Sequence, residues 1–367
     1  MPVLDLMRQC WVRLPLGLAL VVAAGAAAAE SLTIAPGREF AADSYVHRLL
    51  APDAAIDPKS AAYVAEIQRL IRAHYGHAEV NIDGNTPEIH IVPADQPTVT
   101  VRYRVWDRPG ARFPPLQQQW LAVPLPDGFR PARGDDHEAV IYQPSTGRMW
   151  EFWAMRKTGA RTTDSSGRSV EEWGAQWGGR MDGIGSNPGW WVTSRQAGHT
   201  FGTTASGIPF LAGLLTIEEL RRGEINHVVG FALPESAAGR HSHPAQRSDG
   251  RSGNPDAIPQ GTIFRLPADL DLDALAMDPF ARMIARAVQR HGMILWDTSG
   301  VVGFRAENPG ERFSGGHPYW RPGGILRCPP EATSRPGHPA IYQCWPPGRL
   351  ANFPWDRLQA LTPPAAR

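Results

Sequence analysis

Two seven-residue runs, His137 to Gln143 and Arg148 to Ala154, flank the segment Pro144-Ser145-Thr146-Gly147. Proline presets a turn and glycine tolerates a left-handed exit, so this pattern predicts a β-hairpin. With Gln143 opposite Arg148, facing residues sum to a constant and both faces can be assigned. Ala139, Ile141, Trp150, Phe152 and Ala154 form a core face. Glu138, Val140, Tyr142, Met149, Glu151 and Trp153 form the other, where two carboxylates among aromatics describe a sugar-binding groove. Glu138 and Glu151 are diagonal neighbours, roughly 5.5–8 Å apart, a range that straddles the carboxylate spacings of retaining and inverting glycosidases. One would protonate the leaving oxygen while the other attacks or activates water. Asp136 and His137, at the strand entry, would support them. The competing reading is two solvated strand carboxylates, with an Asx turn accounting for Asp136.

Around this hairpin the chain reads as strands with few helices. Residues 30–58 are an irregular lead-in punctuated by Pro36, Pro52 and Pro58. Ser60 to Tyr75 is a helix with Ala61, Val64, Ile67 and Ile71 as its stripe, Leu70 on the flank and Gly76 as its stop. Strand-like runs follow at Glu88–Val92, Thr98–Val105 and Trp120–Val123. Thr216 and Glu219 form a capping box ahead of Gly223, and His227–Leu233 reads as a buried strand. Residues 236–257 read as a long mobile loop. Asp278-Pro279 opens a helix carrying Phe280, Met283, Ile284, Ala287 and Val288. A second hairpin is expected from Met293–Trp296 and Val301–Phe304. The expectation is a mainly β fold, an antiparallel β-sandwich of jelly-roll type with peripheral helices, forming one domain over residues 59–367. No GxGxxG or GxxxxGK[ST] occurs.

Residues 1–29 read as a cleavable signal peptide: Arg8 and Arg13, the apolar run Leu14–Val22, then Ala26–Ala29. Removing Arg8, Arg13 and Asp5 from 37 basic and 36 acidic residues leaves 35 of each. That balance argues against a nucleic-acid or anionic-membrane partner. No later run approaches a bilayer span. The expected location is secreted or periplasmic, where Cys328 and Cys344 would form a disulfide worth roughly 3 kcal/mol. Lys59 and Lys157 are the only lysines, which leaves lysine-nucleophile chemistry few candidates.

Other chemistries find weaker support. His241 and His243, with Asp249 and Asp256 nearby, lack a third ligand of defined spacing, so no metal or cofactor is expected. Ser206 lacks the first glycine of GxSxG and precedes an apolar packing segment. Among twelve tryptophans outside the leader, Trp153 and the Trp190-Trp191 pair are candidates for stacking on sugar rings. A polysaccharide lyase would instead use His137, Tyr142 and Arg265, with His291 a further candidate that also reads as a helix-end histidine favoured by the dipole.

Several segments resemble a group of exported bacterial proteins with no assigned activity. They are Asp136-His137 with Trp150-Glu151-Phe152-Trp153, Ala205 to Leu214, Phe264-Arg265-Leu266, His291 to Ile294, and Asn352-Phe353-Pro354-Trp355. The resemblance covers most of the chain beyond about residue 85 and implies neither a substrate nor catalytic residues. The functional expectation is a glycoside hydrolase acting on extracellular polysaccharide, with a polysaccharide lyase or a non-catalytic glycan-binding envelope protein as alternatives.

Overall fold

The hairpin forms in the expected register. In a computed structural model describing residues 39–192, 198–310, 317–319, 324–326, 350 and 352–363, Gln143 pairs with Arg148 and Val140 with Glu151. The turn Pro144–Thr146 ends at Gly147, whose φ of 60° explains the glycine. The predicted leader and the Cys328–Cys344 pair lie outside the described residues. The described residues belong to one compact unit.

Thirteen strands are described, in three sheets. They are β1 (Glu79–Asn81), β2 (Ile89–Ile91), β3 (Arg102–Tyr103), β4 (Ala139–Gln143), β5 (Arg148–Trp153), β6 (Arg156–Thr163), β7 (Ser169–Ala175), β8 (Trp177–Met181), β9 (Val229–Leu233), β10 (Ile263–Arg265), β11 (Met293–Thr298), β12 (Gly303–Arg305) and β13 (Gln359–Ala360). The large sheet runs β1-β12-β9-β11-β10-β13, a second β2-β4-β5-β8, and a third β3-β7-β6. The pairs β1–β12, β9–β11, β2–β4 and β3–β7 are parallel. The fold is therefore mixed α/β, 24% strand and 18% helix, with three mixed sheets. This corrects the purely antiparallel expectation.

The second expected hairpin does not form. β11 and β12 flank β9 rather than each other. All five residues of β9 are buried, and so apolar a strand is best satisfied in a sheet interior with a partner on each side. Ser299 to Val302 can reach across it, because four extended residues span roughly 13 Å and two interstrand spacings need roughly 10 Å.

Helices cover one face of the large sheet: α1 (Ser60–Ala73), α3 (Ile217–Arg222) and α4 (Pro279–Arg290), while α2 (Pro114–Gln119) lies by the smaller sheets. In α1 the buried stripe is Tyr63, Val64, Ile67 and Leu70, whereas Ala61 is exposed. The Thr216–Glu219 capping box is present, and Asp278 caps α4 through the Phe280 N–H at 2.8 Å. The helices meet Val229, Phe231, Leu233, Met293 and Leu295 in one core. Ile294 and Trp296 point the other way, into a second core shared with β4 and β5. Trp296 lies flat on Gly230, where an added Cβ would come within 2.4 Å of its ring. Segment 236–257 is tied down by Ala237 N–H to Ile258 O and Ala238 N–H to Ser252 O, unlike the free loop expected.

Candidate functional site

The hairpin's second face is covered instead of open. Glu138, Val140, Met149 and Glu151 are buried, and Tyr142 and Trp153 are partly so. The cover is the segment around Thr203–Phe210. The Phe210 N–H donates to Glu151 Oε1 at 2.6 Å, and Thr203 Oγ1 to Oε2 at 3.0 Å. Glu151 thus serves as an internal acceptor, burial raising its pKa to about 7 against those two donors.

Glu138 has other company. Arg305 donates through Nη1 to Glu138 Oε1 at 3.0 Å and pairs through Nη2 with Asp297 Oδ2 at 2.9 Å. A β-bulge brings Asp297 there. Leu295 pairs with Phe231 but Asp297 with Ala232, so Trp296 is the extra residue. Strict alternation would send Asp297 toward the helices with Leu295; the bulge turns it to the opposite face. Arg305 reaches the same face by simple alternation after Phe304, which packs with the helices. The Ala205 and Thr298 N–H groups donate to Asp297 Oδ1 at 3.0 and 2.9 Å. Asp136 Oδ1 accepts from Trp153 Nε1 at 2.9 Å.

These groups border a cavity of about 570 Å³ whose wall includes Tyr103, Trp153, Trp177, Asp136, Glu138 and Asp249. One guanidinium faces three carboxyl groups. Burial raises the Glu138 pKa from 4.5 to about 8; Arg305 opposes this, while Asp136 and Asp297 add to it. Burial pushes Asp297 up as well, against Arg305. Arg305 stays charged because the carboxylates outweigh its own burial. Burial thus favours the neutral form of Glu138, and its Oε2 is buried with no hydrogen-bond partner.

Arg247 holds the covering segment. Its guanidinium donates to the carbonyls of Thr200, Gly202, Thr204 and Ala205 at 2.7 to 3.1 Å. Asp249, two residues on, accepts from Gln260 Nε2 at 2.8 Å and Thr298 Oγ1 at 2.5 Å.

Of the residues expected from sequence, Asp136, Glu138 and Trp153 meet at this cavity. Neither Glu151, His137 nor Tyr142 belongs to its wall. His137 has a φ of 42°, and its carbonyl accepts from the Met155 N–H, turning the chain into β4. Trp191 is wedged against Gly179 and Gly202, where added Cβ atoms would come within 2.9 and 2.3 Å of it, so it cannot offer a face to a sugar. Trp190 stacks on Tyr45, and Arg265 is buried with Gln359 and the Ala51 carbonyl. Burial lowers the His291 pKa to about 4, so this histidine is neutral, contrary to a dipole-favoured cation. Ser206 is fully buried, its Oγ accepting the Ile208 N–H.

Asp297, Arg305 and Arg247 escaped sequence reasoning, and Asp249 enters it only as a neighbour of His241 and His243. A usable signal existed: Asp297 and Arg305 each follow an apolar strand run, where a charge needs a partner. Among the described residues no three His, Cys, Asp or Glu side chains are grouped to hold a metal, and no helix is long and apolar enough to cross a membrane. Comparison with protein-family models, curated proteins and solved structures yields no match for this chain.

Proposed function

We propose that this chain is an exported glycoside hydrolase in which Glu138 is the general acid, with Asp136 in place of Glu151 as the second carboxylate. One observation carries the reading: a buried carboxyl, which burial pushes toward its neutral form, lines an aromatic-bordered cavity beside carboxylates of different surroundings. Glu138 would give its proton to the glycosidic oxygen. Asp136 is partly exposed, and Trp153 holds its Oδ1; its other oxygen would take a proton from the attacking water. Asp297 has both oxygens occupied, so its part is to keep Arg305 in place. Tyr103, Trp153 and Trp177 supply ring faces for sugar stacking. An elimination would need His137, Tyr142 and Arg265 together, and none of the three borders the cavity. The resemblance to exported bacterial proteins belongs to the same proposal.

The test is release of reducing ends from a polysaccharide panel by wild type and Glu138→Gln. Hydrolysis lost in the variant supports the reading. New ultraviolet absorbance from an unsaturated uronate would replace it with elimination, and glycan binding without any product would replace it with a non-catalytic role.

A further inference from the structure

A second cavity, of about 420 Å³, adjoins the first and shares Asp136, Thr298 and Arg305 with it. Both rest on the helix-free face of the large sheet. Asn81 of β1, Arg305 and Gly303 of β12, Ala232 of β9 and Asp297 of β11 lie across four adjacent strands. Three interstrand spacings make this floor roughly 14 Å wide. The Glu138–Arg305–Asp297 cluster therefore sits partway along an elongated depression, and Glu138, whose Oε2 is buried and unpartnered, is one of the residues bordering its larger half.

The charges along this depression are mostly negative. The second cavity adds Glu79 and Asp83 to Asp136. Glu79 Oε1 bonds His77 Nε2 at 2.9 Å. Arg305 is taken up by Glu138 and Asp297, and Arg247 by four backbone carbonyls. Among the described bordering residues, Arg108 is the one guanidinium not committed in this way, and it is exposed. A sugar carboxylate passing over the buried floor would meet carboxylates, and Arg108, which borders only the larger cavity, stands exposed in its wall, so the floor and the second cavity offer it an unfavourable desolvation. Hydroxyl and ammonium groups would meet acceptors.

We propose that the ligand is an uncharged or amine-bearing sugar chain, not a polyuronate, and that it lies across both cavities so that its internal units pass over the Glu138–Arg305–Asp297 cluster. This rests on the glycan reading of the site. It requires no particular bond to be cleaved.

Gly300 borders the second cavity, is exposed, and an added Cβ would meet no heavy atom within 4 Å. Gly300→Trp therefore sets a bulky side chain at the border of the second cavity, with no clash at its Cβ and away from the wall of the first. Binding is read by stopped-flow tryptophan fluorescence, before turnover, with chito-oligosaccharides from monomer to hexamer in acetylated and deacetylated forms. An oligo-alginate ladder of equal lengths serves as the anionic comparison. The expected result is affinity rising roughly tenfold or more from monomer to tetramer, which is about 1.4 kcal/mol. Gly300→Trp should remove that gain and leave monomer binding unchanged, and the alginate ladder should bind more weakly. Equal affinity at all lengths, an unaffected tetramer in Gly300→Trp, tighter alginate binding, or no chito-oligosaccharide binding overturns the inference. Length-dependent binding without reducing-end release would leave this inference standing while the hydrolase reading fails. Hydrolysis without length dependence would do the reverse.

Discussion

Replacing Glu138 by glutamine should stabilise the protein at alkaline pH while removing the proposed hydrolysis. Unfolded, this carboxyl titrates near 4.5; folded, burial moves it to about 8. Between those values the folded state holds a proton that the unfolded state has released, so stability falls as pH rises through the window. The interval corresponds to a ceiling of roughly 5 kcal/mol at 1.4 kcal/mol per pH unit. Water entry and local relaxation bring it to roughly 2–3 kcal/mol. Glutamine keeps an acceptor for Arg305 and places an amide where the protonated oxygen was, so little is lost at acid pH. Denaturant titrations of both proteins at about pH 5 and about pH 8.5 measure the difference, and Glu151 cancels because both retain it. The expected outcome is near-equal stability at the lower pH and a variant more stable by roughly 2–3 kcal/mol at the higher. A variant less stable at every pH by roughly 3–5 kcal/mol would make Glu138 an ionised structural partner of Arg305 and refute the reasoning.

Arg305→Met leaves Glu138 and Asp297 buried without their guanidinium and should cost roughly 3–5 kcal/mol near pH 7, less near pH 5, as read by denaturant titration. Gly230→Ala drives a methyl to within 2.4 Å of the Trp296 ring and should cost roughly 1–3 kcal/mol, seen as a lower thermal midpoint. The buried Glu219–His227 pair gives a second pH signature, in which the histidine loses stability with rising pH as Glu138 does, over a higher window. Against burial, Glu219 raises the His227 pKa from 6.5 to about 9, so that contribution is complete below 6.5 and lost as pH rises through about 9. Glu219 itself is held below 4.5, and its contribution is lost as pH falls. His227→Gln should therefore differ most from wild type between about pH 5 and 6.5, and the two stability curves should converge above about pH 9.

Local features were legible from sequence because local chemistry determines them. The hairpin register follows from its turn residues, the capping box from the Thr216–Glu219 spacing, and α4 from Asp278-Pro279 and its apolar stripe. What could not be read depends on distant partners. β9 enters between β11 and β12 because it needs neighbours on both sides, and nothing in residues 293–304 encodes that insertion. The bulge at Trp296 that re-aims Asp297 is likewise visible only against β9. The hairpin's second face looked open because its alternation contains charged residues. A segment some 60 residues downstream covers it, the Phe210 N–H bonding Glu151 from 59 positions away. Three of the nine residues expected at the site, Asp136, Glu138 and Trp153, border the cavity, while Glu151 lies under the covering segment.

The protonation state of Glu138 can be measured directly, by isotope-edited infrared titration of glutamate-labelled protein, wild type against Glu138→Gln. A protonated-carboxyl band that persists at pH 7, titrates near 8 and is missing from the variant is the result required here. Loss of the Glu138 band near its ordinary value of 4.5 would contradict the account, because the cavity would then hold no neutral carboxyl able to act as the acid.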